Sequence, residues 1–151
     1  IGVIEMGGWD THANQGAETG RLARNLALLA EGLELLPETF GLAWKNTVVA
    51  VVTEFGRTVR INGSFGSDHG TAGAAFLLGG AVAGGRVATH WPGLNDNSLY
   101  EDRDLAPTSD MRALFKTILH DHLGINHKAL DKLVFPNSDA SIGPPGPLIR
   151  V

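Results

Sequence analysis

Apolar and polar positions alternate in blocks along this chain, and each block has its own rhythm. Residues 1–7, Ile-Gly-Val-Ile-Glu-Met-Gly, are a short β-branched run ended by Gly7-Gly8, which predicts a short buried strand. Glu5 within it reads as a carboxylate at a strand edge or paired in the core. Between 18 and 36 the rhythm changes, with Leu22, Leu26, Leu29, Leu33 and Leu36 recurring at spacings of four and three. That draws one apolar stripe on a helix, expected to pack into the core, with Pro37 as its stop. Residues 47–53, Thr-Val-Val-Ala-Val-Val-Thr, are apolar without alternation, as in a strand covered on both faces of a parallel sheet.

A second apolar run, 74–80, predicts another strand, and 84–94 reads as a glycine-hinged loop. After a polar, acidic stretch the spacing predicts a second helix over 110–123. Thr108, Ser109 or Asp110 caps it, Leu114, Phe115, Ile118 and Leu119 form its apolar face, and Gly124 closes it. Four of the seven prolines follow Phe135, so 135–151 reads as an irregular Pro-rich surface tail. Strands alternating with helices predict an α/β fold, a largely parallel sheet flanked by helices, over 1–134.

Composition narrows the functional classes. At 151 residues, 43% hydrophobic and 19% charged, the chain has the make-up of one globular domain. A net charge of -4 argues against nucleic acid as a partner, which calls for a basic face. No apolar run reaches the ~20 residues of a transmembrane helix. Cysteine is absent, which excludes disulfides, thiolate metal sites and a cysteine nucleophile. The chain opens at Ile1 directly into the first apolar run, so it reads as the interior of a longer protein whose upstream half is its partner.

Two polar clusters follow predicted strands, and ligands in open α/β sheets bind outside the carboxyl ends of strands. In the first, Asp10 and His12 are two apart. In extended backbone, such side chains point the same way about 6–7 Å apart, which lets a carboxylate and an imidazole converge on one divalent ion. On that motif alone, an Asx-turn at Asp10 and a surface His12 is the plainer reading.

The second cluster holds Asp68-His69-Gly70, where glycine permits close backbone approach. Its plainer reading is a turn in which Asp68 satisfies backbone donors. Together the two clusters point to a metal site. Glu54 at a strand exit is suited to bind metal or act as a base, and Arg57 to fork onto an anionic oxygen; a simple Glu54–Arg57 ion pair fits equally. His120 and His122 face different sides of their helix and cannot share an ion.

The residues carrying these features, "GGWDTHANQ" at 7–15, "TEFGRT" at 53–58, "GSDHGTAGAAFLLGGAVAGGRV" at 66–87, "WPGL" at 91–94 and "DLAPTSDMRALFKTIL" from 104, resemble the bacterial DUF1501 family. That family is similar to a sulfatase-like branch of the alkaline-phosphatase superfamily. The resemblance implies an alkaline-phosphatase-like fold, of which this chain is the carboxyl-terminal part, and an exported or periplasmic protein. It also implies hydrolysis of a sulfate or phosphate ester at one or two divalent metals, with an alkoxide nucleophile upstream of Ile1.

The resemblance implies that Asp10 and His12 match the Asp and His of one metal site. The second site aligns in two ways. Asp68-His69-Gly70 resembles the superfamily's Asp-His-Gly pair. Alternatively, Glu54 stands for that carboxylate, Phe55 replaces the histidine, and His69 returns to the ion held by Asp10 and His12. The second alignment is preferred because "HGTAGAAFLLGG" follows His69 as that histidine's strand would.

The expectation is therefore a metal-dependent ester hydrolase acting on an anionic ester. Asp10, His12 and His69 hold the metal, Asp68 and Glu54 supply a second site or orient the ligands, and Arg57 binds the substrate's anion. Imidazole–carboxylate ligation suits zinc, and further carboxylates admit manganese, calcium or magnesium. The alternative is a non-catalytic binding module with a degenerate site, favoured by the imidazole lost at Phe55.

Overall fold

The computed structural model describes residues 1–138 and 141–150. Its first regular element is helix α1, Arg21–Phe40. It runs through Pro37, contrary to expectation, and ends at Gly41 with φ 51. Pro37 lies in the last turn, so the missing N–H forfeits a single bond there. The leucine stripe is visible as the better-shielded side, with Leu22, Leu29, Leu33 and Leu36 half-buried and Leu26 exposed. No residue of α1 is buried, so the stripe is not core as expected.

The predicted sheet is where sequence and structure part. After a 3₁₀ turn at Gly41–Asn46 come four short strands, β1 (Val49–Val51), β2 (Gly56–Arg57), β3 (His69–Gly70) and β4 (Phe76–Leu78). Strand β1 pairs with β4 antiparallel, Ala50 opposite Leu77. Strands β2 and β3 pair antiparallel, Arg57 opposite His69. The described residues thus form two two-stranded antiparallel sheets, and the largely parallel, helix-flanked sheet of an alkaline-phosphatase-like fold is not observed.

The physical reason lies in the connection. A parallel return requires a long crossover, usually a helix. The segment between β1 and β4 contains no helix; it folds into the β2–β3 pair and brings the chain back antiparallel. Residues 1–8 join neither sheet and are exposed. A β-branched run becomes a strand only where a partner takes up its backbone hydrogen bonds, and among the described residues none does.

Helix α2, Met111–Asp121, matches its expected position closely. Asp110 is the N-cap, its side chain accepting from Arg112 N–H at 2.8 Å, and Gly124 follows with φ 68. Leu114 and Ile118 are buried against Leu148 and Ile149, with Val48, Ala50, Leu77, Ala88 and Phe115 around them.

The carboxyl-terminal stretch is irregular, yet Leu148 and Ile149 are core residues rather than surface. An antiparallel bridge joins Val82 to Ile149, and Ala83 N–H donates to Leu148 O at 2.8 Å. Asp139, Ala140 and Val151 of that tail lie outside the described residues. Helix α3, His127–Ala129, runs into a π turn at Leu130–Val134 whose Leu130 is fully buried. No described helix is long and apolar enough to cross a membrane.

Candidate metal centre

The site is assembled by three stretches that are distant in sequence. Backbone hydrogen bonds lay 11–15 against 64–67: Asn14 N–H to Ser64 O, Gln15 N–H to Phe65 O, both 2.9 Å, and Ser67 N–H to Thr11 O at 3.3 Å. The approach is close enough that a Cβ on Gly66 would lie 2.2 Å from the carbonyl carbon of His12. Underneath, Gln15 Oε1 accepts from Thr11 Oγ1 at 2.8 Å and Ser67 Oγ at 2.6 Å. Thr11 and Ser67 are buried, and this pairing removes the cost of burying their hydroxyls.

The β2–β3 pair adds the third stretch. It sets Arg57 opposite His69, and a Cβ on Gly70 would lie 2.6 Å from Arg57 carbonyl atoms. Arg57 donates to Ser67 O at 2.8 Å, Trp9 O at 2.7 Å and Asp10 Oδ1 at 2.8 Å. Its guanidinium therefore ties the Asp10 loop to the His69 strand.

Three potential ligand atoms meet at this junction. Asp10 Oδ1 lies 3.0 Å from His12 Nε2 and 2.9 Å from His69 Nε2, and the two Nε2 atoms are 3.3 Å apart. A tetrahedral ion with bonds of about 2.0–2.1 Å has ligand–ligand edges of about 3.3–3.4 Å. The trio is thus spaced, within a few tenths of an ångström, as three corners of a zinc coordination shell. All three side chains are about half exposed. Asp10, His12 and His69 are the described residues so grouped, and they are the three that the second alignment assigns to one ion.

Asp68 stands behind His12 rather than within this trio. Its Oδ1 is 3.1 Å from His12 Nδ1. Hydrogen bonds, from Asn62 first and His12 next, hold the Asp68 carboxyl below its usual range. Both carboxylates only accept, so His12 meets an acceptor at each ring nitrogen, Asp68 Oδ1 at Nδ1 and Asp10 Oδ1 at Nε2; with the proton on Nδ1, the Nε2 lone pair faces the trio. This is the carboxylate–histidine arrangement that orients metal ligands. Asp10 is also held below its usual range, by hydrogen bonds from His69 and then Arg57.

The remaining expected residues are placed differently. Glu54 is exposed and pairs with no group among the described residues; Arg57 binds Asp10 instead. Phe55 stacks on the His69 ring with centroids 4.0 Å apart, and the Arg57 Cζ lies 4.9 Å from the Phe55 centroid. The residue that replaces an imidazole in the second alignment therefore backs the His69 ring.

Asn62, Gln15 and Ser67 were not singled out from sequence. The Asn62-Gly63 dipeptide signals a turn, but nothing local signals that its amide reaches Asp68. Asp104 was also missed. It is fully buried, which raises its carboxyl pKa, yet Thr71 Oγ1 at 2.8 Å and Arg103 bring the net direction down. Arg103 Nε lies 3.0 Å from Asp104 Oδ1, but that oxygen has no well-aligned donor, so the contact is an ion pair without a good hydrogen bond.

Asp10, His12, Gln15, Glu54, Phe55, Arg57, Asn62, Ser67, Asp68 and His69 all lie between Trp9 and Gly70. A family model described as "Protein of unknown function (DUF1501)" matches residues 2–134. The chain belongs to the DUF1501 family. No curated protein and no solved structure matches it. The DUF1501 match contains the whole trio, Asp68 and Asp104.

Proposed function

We propose that this DUF1501 chain carries the metal centre of a metal-dependent hydrolase of sulfate or phosphate esters. The observation that supports it is the convergence of Asp10 Oδ1, His12 Nε2 and His69 Nε2 within 3.3 Å of one another. Three electron-rich atoms this close repel unless a proton or cation lies among them, and one carboxylate with two imidazoles is a donor set suited to zinc. The ester class comes from the sulfatase-like resemblance of the motifs around these residues.

In this reading a bound metal supplies charge stabilisation at an ester oxygen. Asp10, His12 and His69 hold it. Asp68 keeps the His12 proton on Nδ1, and Arg57 fixes the Asp10 carboxylate. Phe55 buttresses the His69 ring.

The commitment of Arg57 to Asp10 and two carbonyls, with Glu54 unengaged, favours a second reading, a non-catalytic binding module. A panel of aryl sulfates and phosphate mono- and diesters, offered to the complete polypeptide loaded with zinc, manganese, calcium or magnesium, separates the two. Turnover abolished by chelation supports the hydrolase. No turnover of any ester with bound metal supports the binding module.

A further inference from the structure

We propose that Asn62 is a positioning residue of this centre, aiming the Asp68 carboxylate at His12 Nδ1 and so favouring the tautomer whose Nε2 is free for metal, against the pull of Asp10 Oδ1 on that nitrogen. The proposal rests on the metal-centre reading above. Asn62 Oδ1 accepts from Ser64 N–H at 2.9 Å and Gly66 N–H at 3.0 Å, an Asx-type turn. Those two donors settle the orientation of the amide: its oxygen faces the turn and its nitrogen faces the opposite way.

Nδ2 then has two protons and two acceptors, Asp68 Oδ1 at 3.0 Å and His12 O at 3.0 Å. The Asp68 oxygen it binds is the same one that faces His12 Nδ1 at 3.1 Å. The Asp68 side chain is 54% exposed, so burial does not hold its carboxylate; these donors do. The same planar amide also grips the main chain of His12. One side chain thereby couples the turn, the carboxylate and the ligand.

The turn and the positioning role are separable. Asn62→Ser keeps a hydroxyl able to accept from the turn's N–H groups but is too short to donate to Asp68. Zinc affinity is measured by calorimetry for the parent chain, Asn62→Ser, Asp68→Ala and the double variant, and His12 protonation is read from ¹⁵N ring shifts without metal. If Asn62 acts through Asp68, Asn62→Ser weakens zinc binding about tenfold, and less than about twofold in the Asp68→Ala background. Loss by the same factor in both backgrounds, or unchanged affinity, overturns the proposal.

A parent chain that takes up no zinc sinks the metal-centre reading and leaves the ring shifts to decide on Asn62. His12 with its proton on Nδ1 in the parent, and that preference lost in Asn62→Ser, supports the positioning role. A parent His12 protonated on Nε2 overturns it without any variant.

Discussion

His69 Nε2 stands 2.9 Å from Asp10 Oδ1, although 59 residues separate them in the chain. The contact joins the end of the β2–β3 pair to the loop that follows the exposed amino-terminal run. Two loops that are unrelated in sequence are thereby brought to one point, with Arg57 and the Gly66 approach holding them there.

Asp68→Asn keeps an acceptor for His12 Nδ1–H but removes its charge. The ligand ring becomes less basic while the fold stays intact. Zinc affinity is expected to fall roughly tenfold, read by competition with a chromophoric chelator, with an unchanged thermal midpoint in metal-free buffer. An equal drop in metal-free stability would assign Asp68 to the scaffold instead.

Gly66→Ala introduces a Cβ that has no room, since it would meet His12 main-chain atoms at 2.2–2.3 Å. The two loops must separate. The expected result is a destabilisation of about 1–3 kcal/mol, in the range of overpacking, together with loss of metal binding. Denaturant titration and metal uptake on the same preparation test both halves.

Asp110 has its carboxyl pKa lowered from 3.8 to about 2, chiefly by Arg112, with Ser141 Oγ also donating at 3.0 Å. Because the folded value lies below the unfolded one, its stabilisation is fully present above about pH 4. It is lost as the pH falls towards 2. Asp110→Ala is expected to cost about 1 kcal/mol at pH 7, the usual size of a helix N-cap, and only a small part of that near pH 2. A penalty undiminished at pH 2 would show that the carboxylate's charge is not its source.

The location of the core predicts a contrast between helices. Leu35 on α1 is 61% exposed, whereas Ile118 on α2 is 8% exposed. Leu35→Gln should change stability by less than about 0.5 kcal/mol, and Ile118→Ala should cost about 2–4 kcal/mol. Leu148→Ala should behave like Ile118→Ala if the Pro-rich tail is part of the core. Chemical denaturation of the three variants decides the matter.

Helix α2 and the closing Gly124 were legible, with Asp110 among three candidate caps, because their signals are local: a capping side chain, a 3.6-residue rhythm and a glycine. The meeting of Asp10, His12 and His69 was legible because Asp-x-His and Asp-His-Gly signal polar clusters by residue type. Sheet direction was not, since the apolar run around Val49–Val51 says nothing about which strand pairs with it or from which side. The amino-terminal run illustrates the same limit, because Ile1, Val3 and Ile4 have strand propensity but no ladder partner among the described residues. Asn62 was hidden for a third reason. Its turn-forming oxygen is a sequence signal, but its donation to Asp68 depends on two loops meeting in space.

The most direct test of the centre is metal content by mass spectrometry on the purified chain, beside a His12→Ala, His69→Ala double variant. The account predicts close to one divalent ion per parent chain and none in an equally well-folded variant. A folded parent without metal, or a variant that keeps it, would contradict the claim that Asp10, His12 and His69 hold a common ion.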